Sequence, residues 1–560
     1  MTSAAATGER TGEHLDHVAR RGVVGLAGSA FAAVCGLVST VLVARGLAAG
    51  DAGTFFATTA LFSTLAVVST LGTDSGLARF LLRLEADGRG DDVRRAVRTA
   101  ALPAAAVAAV AVLVLLLLAE PLASGLGLGE EGARVLRCLA PALPCCVLAE
   151  VMLSATRAVG QMRQTAVVDR VLRAGAQVVA VAAVLAAGGG PAVLGLAWAA
   201  AYVVSLVVSA VALRACLRSR PPSPPRTPAR RPDAPGSGSL AVEFWSFTWP
   251  RGVAGLAQVA VQKADIVLVA ALLGPGPAAL YTAATRFVAV GQLANQAVHQ
   301  VLQSRFTLLL IGGQTAELRR TFAVTTAWAV LLVWPLYLVV ATAAPTYLAV
   351  FGADYVTTGA IATVAVMGAA MLLAVGSGPV DTLLLMSGRS GLSMTNGLVA
   401  LVVDVVACLV LVPRTGIVGA ALAWALALAV RCTLGIWQVR RVVDLGSGVW
   451  GVPALAGGVA LACFGVPGLL VALTLDPSPA VVLLLAALGT VAYVAALAAL
   501  ADRLALATAV GALRRRRAAA PTAAPTTAPT TAPVRAATTP PASDAHTRPK
   551  ESDDPCLLET

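Results

Sequence analysis

The chain is 560 residues long, 58% hydrophobic and only 12% charged, with a formal net charge of +12. Against the about 25% charged content of a soluble domain, this excludes a soluble globular protein and predicts an all-α chain that crosses the membrane many times. The basic excess is not a nucleic-acid surface, because nearly all Lys and Arg fall in the N-terminal segment, in every second connection and in the tail, as cytoplasmic loops require.

Residues 1–21 are polar and read as a cytoplasmic segment, in which His14, Asp16 and His17 belong to a solvated tail and not to a metal site. Apolar runs follow, each long enough to cross about 30 Å of hydrocarbon at about 1.5 Å per residue. They begin near Gly22, Gly53, Thr99, Ala133, Ala166, Pro191, Thr248, Ala278, Phe322, Thr358, Ser393, Gly416, Trp450 and Ala480, which predicts about fourteen spans. Six occupy residues 22–213, the fourth interrupted by Pro141 and Pro144. The basic connection Arg79–Arg98 reads either as an amphipathic segment against anionic lipid headgroups or as a solvated loop. Residues 214–247, rich in Pro, Arg and Ser, read as a cytoplasmic linker, and six more spans fill 248–441. Two further spans occupy 442–503, and 504–560 is an Arg run followed by a Thr/Ala/Pro tail expected to be disordered.

The charge pattern places both termini in the cytoplasm of a cell-membrane protein. The nine cysteines are spaced like small apolar residues, so no disulfide and no metal site is expected. External connections are too short for a catalytic domain, and no phosphate-binding loop, zinc motif or nucleophile elbow occurs. The chain therefore reads as neither an enzyme nor a cofactor protein.

A tandem duplication organises the body. At a constant offset of about 226 positions, Val41 pairs with Val267, Gly50 with Gly276, Phe55 with Tyr281, Thr59 with Thr285, Arg163 with Arg389, and the LAWA run at Leu196 with that at Leu422. Each half has an even number of spans, so the halves run parallel, related by an axis along the membrane normal, with a central cleft between them.

The stretch from Gln262 to Phe287 is the candidate working site, because it carries Lys263, Asp265 and Arg286 inside hydrophobic segments. Charge at bilayer depth costs about 2.5 to 3.5 kcal/mol per residue, so it is kept for use. Arg251, Gln258, Gln262 and Asp265 share one helix face, with Lys263 on another, and Thr285, Gln292, Gln296, His299 and Gln303 share a face of the next span. Such amide lines suit a wet cavity wall; the alternative is hydrogen bonding that glues the bundle. Asp265 and Arg286 lie at similar depth, where an ion pair is possible, and Asp74 stands near the cytoplasmic end of the second span. Asp265 and Asp74 are thus candidates for an ion pair or a coupling ion.

With VLVARGLAAGDAG ending the first span, ADIVLVAALLGPGPAALYTAATRF across the seventh and eighth, FGADY, SGRSGLSMTNG and VPRTGIVGAALAWA, residues 21–441 resemble the bacterial polysaccharide flippases of the multidrug/oligosaccharidyl-lipid/polysaccharide exporter (MOP) superfamily. That resemblance implies translocation of undecaprenyl-diphosphate-linked oligosaccharide between leaflets by alternating access. It implies roles for Arg45, Lys263 and Arg286 near the headgroup, and makes glycan-assembly enzymes candidate partners. A drug or cation antiporter of the same fold and a lipid II flippase are the alternatives. The long linker, Asp404 and the extended tail depart from the family pattern and leave the sugar open.

Overall fold

In hydrocarbon every backbone N–H and C=O must be satisfied within its own segment, which restricts this composition to helices. The computed structural model describes residues 25, 27–86, 92–158, 166–218, 240–443, 445–474, 478–501 and 503–504, and no strand occurs among them. The expected N-terminal segment 1–21, most of the linker and nearly all of the tail lie outside these residues.

The N-terminal half comprises α1 (Ala27–Gly46), α2 (Ala49–Thr70), α3 (Thr73–Ala86), α4 (Val93–Leu117), α5 (Ala119–Gly125), α6 (Gly129–Leu139) and α7 (Ala142–Ala158). A π-helical stretch, Ala166–Arg173, then runs into α8 (Ala174–Ala186), and α9 (Pro191–Arg218) follows. The C-terminal half comprises α10 (Leu240–Leu273), α11 (Pro275–Ile311), α12 (Thr315–Thr342), α13 (Ala344–Ala349), α14 (Thr358–Gly376), α15 (Val380–Met386), α16 (Ser390–Thr415) and α17 (Ile417–Val442). Last come α18 (Gly451–Ala460), α19 (Val466–Thr474) and α20 (Pro479–Ala499).

Among the described residues, 10 helices are long and apolar enough to cross a membrane, or 11 if the pair α6 and α7, bent by 43°, is one span. The bend falls at Pro141, where the missing N–H and the ring interrupt the helix ladder. Outside that set are the other three expected spans: the π/α8 helix, which carries Asp169, Arg170 and Arg173, and α10 and α11, which run 34 and 37 residues. The chain is a multi-pass membrane protein.

Hydroxyls on α2 satisfy themselves on their own helix. Thr58 and Ser63 each donate to the carbonyl four residues back at 2.7 Å, and Thr59 does so at 2.8 Å. Thr58 is fully buried, whereas the oxygens of Thr59 and Ser63 keep lone pairs free to face a cavity.

The turn between α10 and α11 follows from its residues. Gly274 takes φ 91°, open to glycine, and Pro275 supplies the fixed φ of the first helical position. Here the halves meet backbone to backbone, because a Cβ on Gly53 of α2 would sit 1.7 Å from the Pro275 carbonyl oxygen. They meet again near the start of α10, where a Cβ on Gly252 would lie 2.6 Å from the Leu71 carbonyl oxygen. At about 1.5 Å per residue, these contacts stand roughly 33 Å apart along α10, about one bilayer thickness.

The structure differs from the sequence reading at the linker, since α10 begins at Leu240, inside the segment 214–247. Phe244 is fully buried there, its ring 5.3 Å from that of Phe80, and Arg83 pairs with Glu243 at 2.5 Å. The aromatic run at Phe244 to Phe247 gives this stretch the apolar surface that the preceding Pro/Arg-rich residues lack.

Candidate functional site

Between the two backbone contacts lies a cavity of about 230 Å³. One wall is α1, where Ala32, Gly36 and Ser39 leave room by their small size; another is α2, with Phe56, Thr59 and Ser63. The C-terminal half contributes Lys263 and Ile266 from α10 and Arg286 from α11. Lys263 is midway between Gly252 and Gly274, roughly 16 Å from each by helix rise.

Lys263 and Arg286 thus share one cavity. They stand close enough to repel each other, and Asp265 is close enough to attract both. Asp265 does not form the ion pair that its depth allowed: its side chain accepts from Tyr281 Oη at 2.6 Å and from the Ile266 backbone N–H at 2.8 Å. Arg286 lies 6.0 Å from the Phe56 ring centroid, and its Nε has no hydrogen-bond partner among the described residues. A buried guanidinium nitrogen left without an acceptor is costly unless something else completes it.

The structure adds a cation that the charge rule concealed. Arg173, the last residue of the π-helical stretch, lines the cavity although it reads in sequence as an end-turn topological charge. Its Nε donates to Asp169 at 2.7 Å and its Nη1 to Gln177 at 3.1 Å, with Tyr202 5.3 Å beneath the guanidinium. The signal was present in sequence: Asp169, Arg173 and Gln177 recur every four residues, which puts them on one helix face. Inserted π-turns occur frequently where a helix serves a site.

Arg45, Gln292 and Asp74 do not line this cavity. Arg45 is exposed at the far end of α1, where it donates to the Val350 and Ala349 carbonyls at 2.7 and 3.3 Å. Gln292 is half-buried and is not among the residues lining the cavity. The side chains of Gln262, Gln296 and His299 lie outside the described residues. Asp74 is exposed and lines a separate, larger cavity. On α16, Asp404 is fully buried, near enough to Asp265 to interact with it, and both its carboxyl oxygens lack a partner among the described residues. No group of three or more His, Cys, Asp or Glu among the described residues is placed to hold a metal ion.

A family model described as polysaccharide biosynthesis protein matches residues 19–302. The fold is similar to that of a lipid II flippase, MurJ, in an inward closed conformation, with a TM-score of 0.66 at 10% identity, covering 86% of this chain and 100% of that one. It is also similar to an inward-facing multidrug resistance MATE family transporter of the MOP superfamily, with a TM-score of 0.58 at 17% identity over 76% of this chain and 98% of that one. A MOP superfamily transporter from Pyrococcus furiosus gives 0.54 at 16% identity, over 76% and 96%. No curated protein sequence matches the chain.

Proposed function

Because the chain belongs to the polysaccharide biosynthesis protein family, we propose that it is a flippase for a lipid-linked oligosaccharide of the undecaprenyl-diphosphate type. It moves the headgroup from the inner to the outer leaflet of the cell membrane by alternating access, with both chain termini in the cytoplasm. The observation that carries this reading is that Lys263 and Arg286, from adjacent helices, face one cavity at mid-depth together with Arg173.

A diphosphate in bare hydrocarbon is prohibitive, so a path across must replace water with fixed donors. Arginine suits phosphate through its planar fork and lysine as a point charge, and both occur here. Outward movement of an anion from a negative interior gains about 2.3 kcal/mol per charge per 100 mV. The lipid tail stays in the bilayer while the head crosses. A drug-cation antiporter needs an acidic cavity; Phe55, Phe56 and Trp198 line this one, but its free charges are those of Lys263 and Arg286, with Arg173 paired to Asp169, which favours the anionic cargo instead. Asp265, backed by Asp404, is the candidate for binding a coupling ion.

The test is translocation of labelled lipid-linked oligosaccharide in proteoliposomes. Arg286→Ala is expected to abolish transport while insertion and abundance stay at the wild-type level. Normal flipping by that variant would remove Arg286 from the site.

A further inference from the structure

Beside the cationic cavity, and sharing Ser63 and Arg173 with it, lies the larger one of about 500 Å³. Its chemistry is the opposite. Asp74, Glu150 and Asp169 line it, with Tyr202 on the wall one helical turn from Trp198. Glu150 Oε1 accepts from Arg157 at 2.5 Å and Asp169 Oδ1 from Arg173 at 2.7 Å. The second oxygen of each carboxylate has no hydrogen bond among the described residues, and neither has Asp74. Once the two ion pairs are cancelled, the smaller cavity retains the charges of Lys263 and Arg286, and the larger retains that of Asp74.

A second observation marks the cationic side of the junction as a place for a ligand. Gln177 is 7% exposed and lines the smaller cavity beside Arg173, to which its Oε1 is bonded, while its Nε2 has no partner among the described residues. A buried amide N–H left open is costly unless something else completes it.

We propose that the two cavities form one divided headgroup site, in which the larger chamber holds the sugars next to the diphosphate and selects neutral or amino sugars against carboxylated ones. This rests on the flippase reading above. Sugar hydroxyls are donors in search of acceptors, and carboxylate oxygens accept strongly without donating. An ammonium on the sugar is attracted by the same wall, whereas a uronic carboxylate meets Asp74 and the open oxygens of Glu150 and Asp169. At partly desolvated distances of several ångströms, one such like-charge encounter suppresses binding about tenfold or more.

The experiment uses the full chain in proteoliposomes with three polyprenyl-diphosphate probes, carrying a neutral hexose, its amino-sugar analogue or its uronic acid. Wild type is expected to move the first two at least about tenfold faster than the third. Asp74→Lys, at an exposed position, should shrink that ratio to within about twofold, and Asp74→Asn should shrink it part of the way. Equal wild-type transport of uronate and hexose would overturn the divided site and leave the flippase reading standing, as would an unchanged ratio in Asp74→Lys. Transport of none of the three probes by wild type would overturn both.

Discussion

Trp198 and Trp424 hold the same place in the two halves of the duplication, yet one lines the polar cavity and the other is buried in the largest apolar cluster. The contrast is general. In the N-terminal half, Ala32, Gly36 and Ser39 open a face of α1, while their partners at the repeat offset are Gln258, Gln262 and Asp265. In the C-terminal half two tyrosines brace the described part of the interior: Tyr337 bonds the Val288 carbonyl at 3.1 Å and Tyr347 the Ala283 carbonyl at 2.8 Å. Duplication thus preserved the helical frame and divided the labour. One half supplies volume and the ion-paired Arg173, and the other supplies two charges set on a tyrosine-braced wall. This comparison is tested by replacing residues with those at the same repeat position in the other half.

Among these exchanges the largest effect is expected at Arg173, whose counterpart is Val399, with Asp169 opposite Thr395. Arg173→Val alone leaves Asp169 unpaired, so it is made together with Asp169→Thr, which gives the N-terminal half the residues of its counterpart. Removing a donor aimed at transferring charge in a water-poor site costs about 10²–10³-fold. Flipping of lipid-linked oligosaccharide should fall by that factor while the double variant purifies as a folded monodisperse protein. Transport within threefold of wild type would place the working cations in the C-terminal half alone.

A smaller effect, on stability and not on cargo, is expected for Tyr281→Phe, since Phe55 stands at the matching position. Tyr281 is fully buried and donates to Asp265 at 2.6 Å. Without the hydroxyl, Asp265 keeps only the bond from the Ile266 backbone N–H. The loss should be about 1 to 3 kcal/mol, read as a lower thermal midpoint in detergent. An unchanged midpoint would mean that the tyrosine brace is dispensable and the two walls are mechanically alike.

Most of the frame was legible because periodicity and apolar length are local properties of the sequence. The charges at Lys263 and Arg286 stood out because they interrupt apolar runs. Arg173 did not, because it sits where the charge rule already expects arginine, and only its four-residue spacing with Asp169 and Gln177 separates a site residue from a topological one. The partner of Asp265 was missed for another reason. Equal depth made Arg286 a candidate, but which neighbour a carboxylate meets depends on helix rotation, and Tyr281 reaches it from the same hairpin. The start of α10 at Leu240 was hidden by the composition of the residues before it, whose prolines mask a short aromatic run that finds its cover on α3.

The smallest effect is expected at Arg45, where the other half has Ala271. The guanidinium is exposed and holds two carbonyls at the end of α13, that of Val350 and that of Ala349, which the Gly352 N–H also reaches at 3.2 Å. It therefore ties α1 to the far end of the C-terminal half, outside both cavities. An exposed bond of this kind is worth about 0.5 to 1.5 kcal/mol, because water replaces it when it is removed. Arg45→Ala should shift the thermal midpoint slightly and leave affinity for the lipid-linked sugar unchanged, whereas a residue in contact with phosphate would raise the half-saturating concentration by tenfold or more. If Arg45→Ala weakens half-saturation to that degree, the headgroup reaches the end of α1, and the volume supplied by the N-terminal half extends beyond the cavity at Lys263.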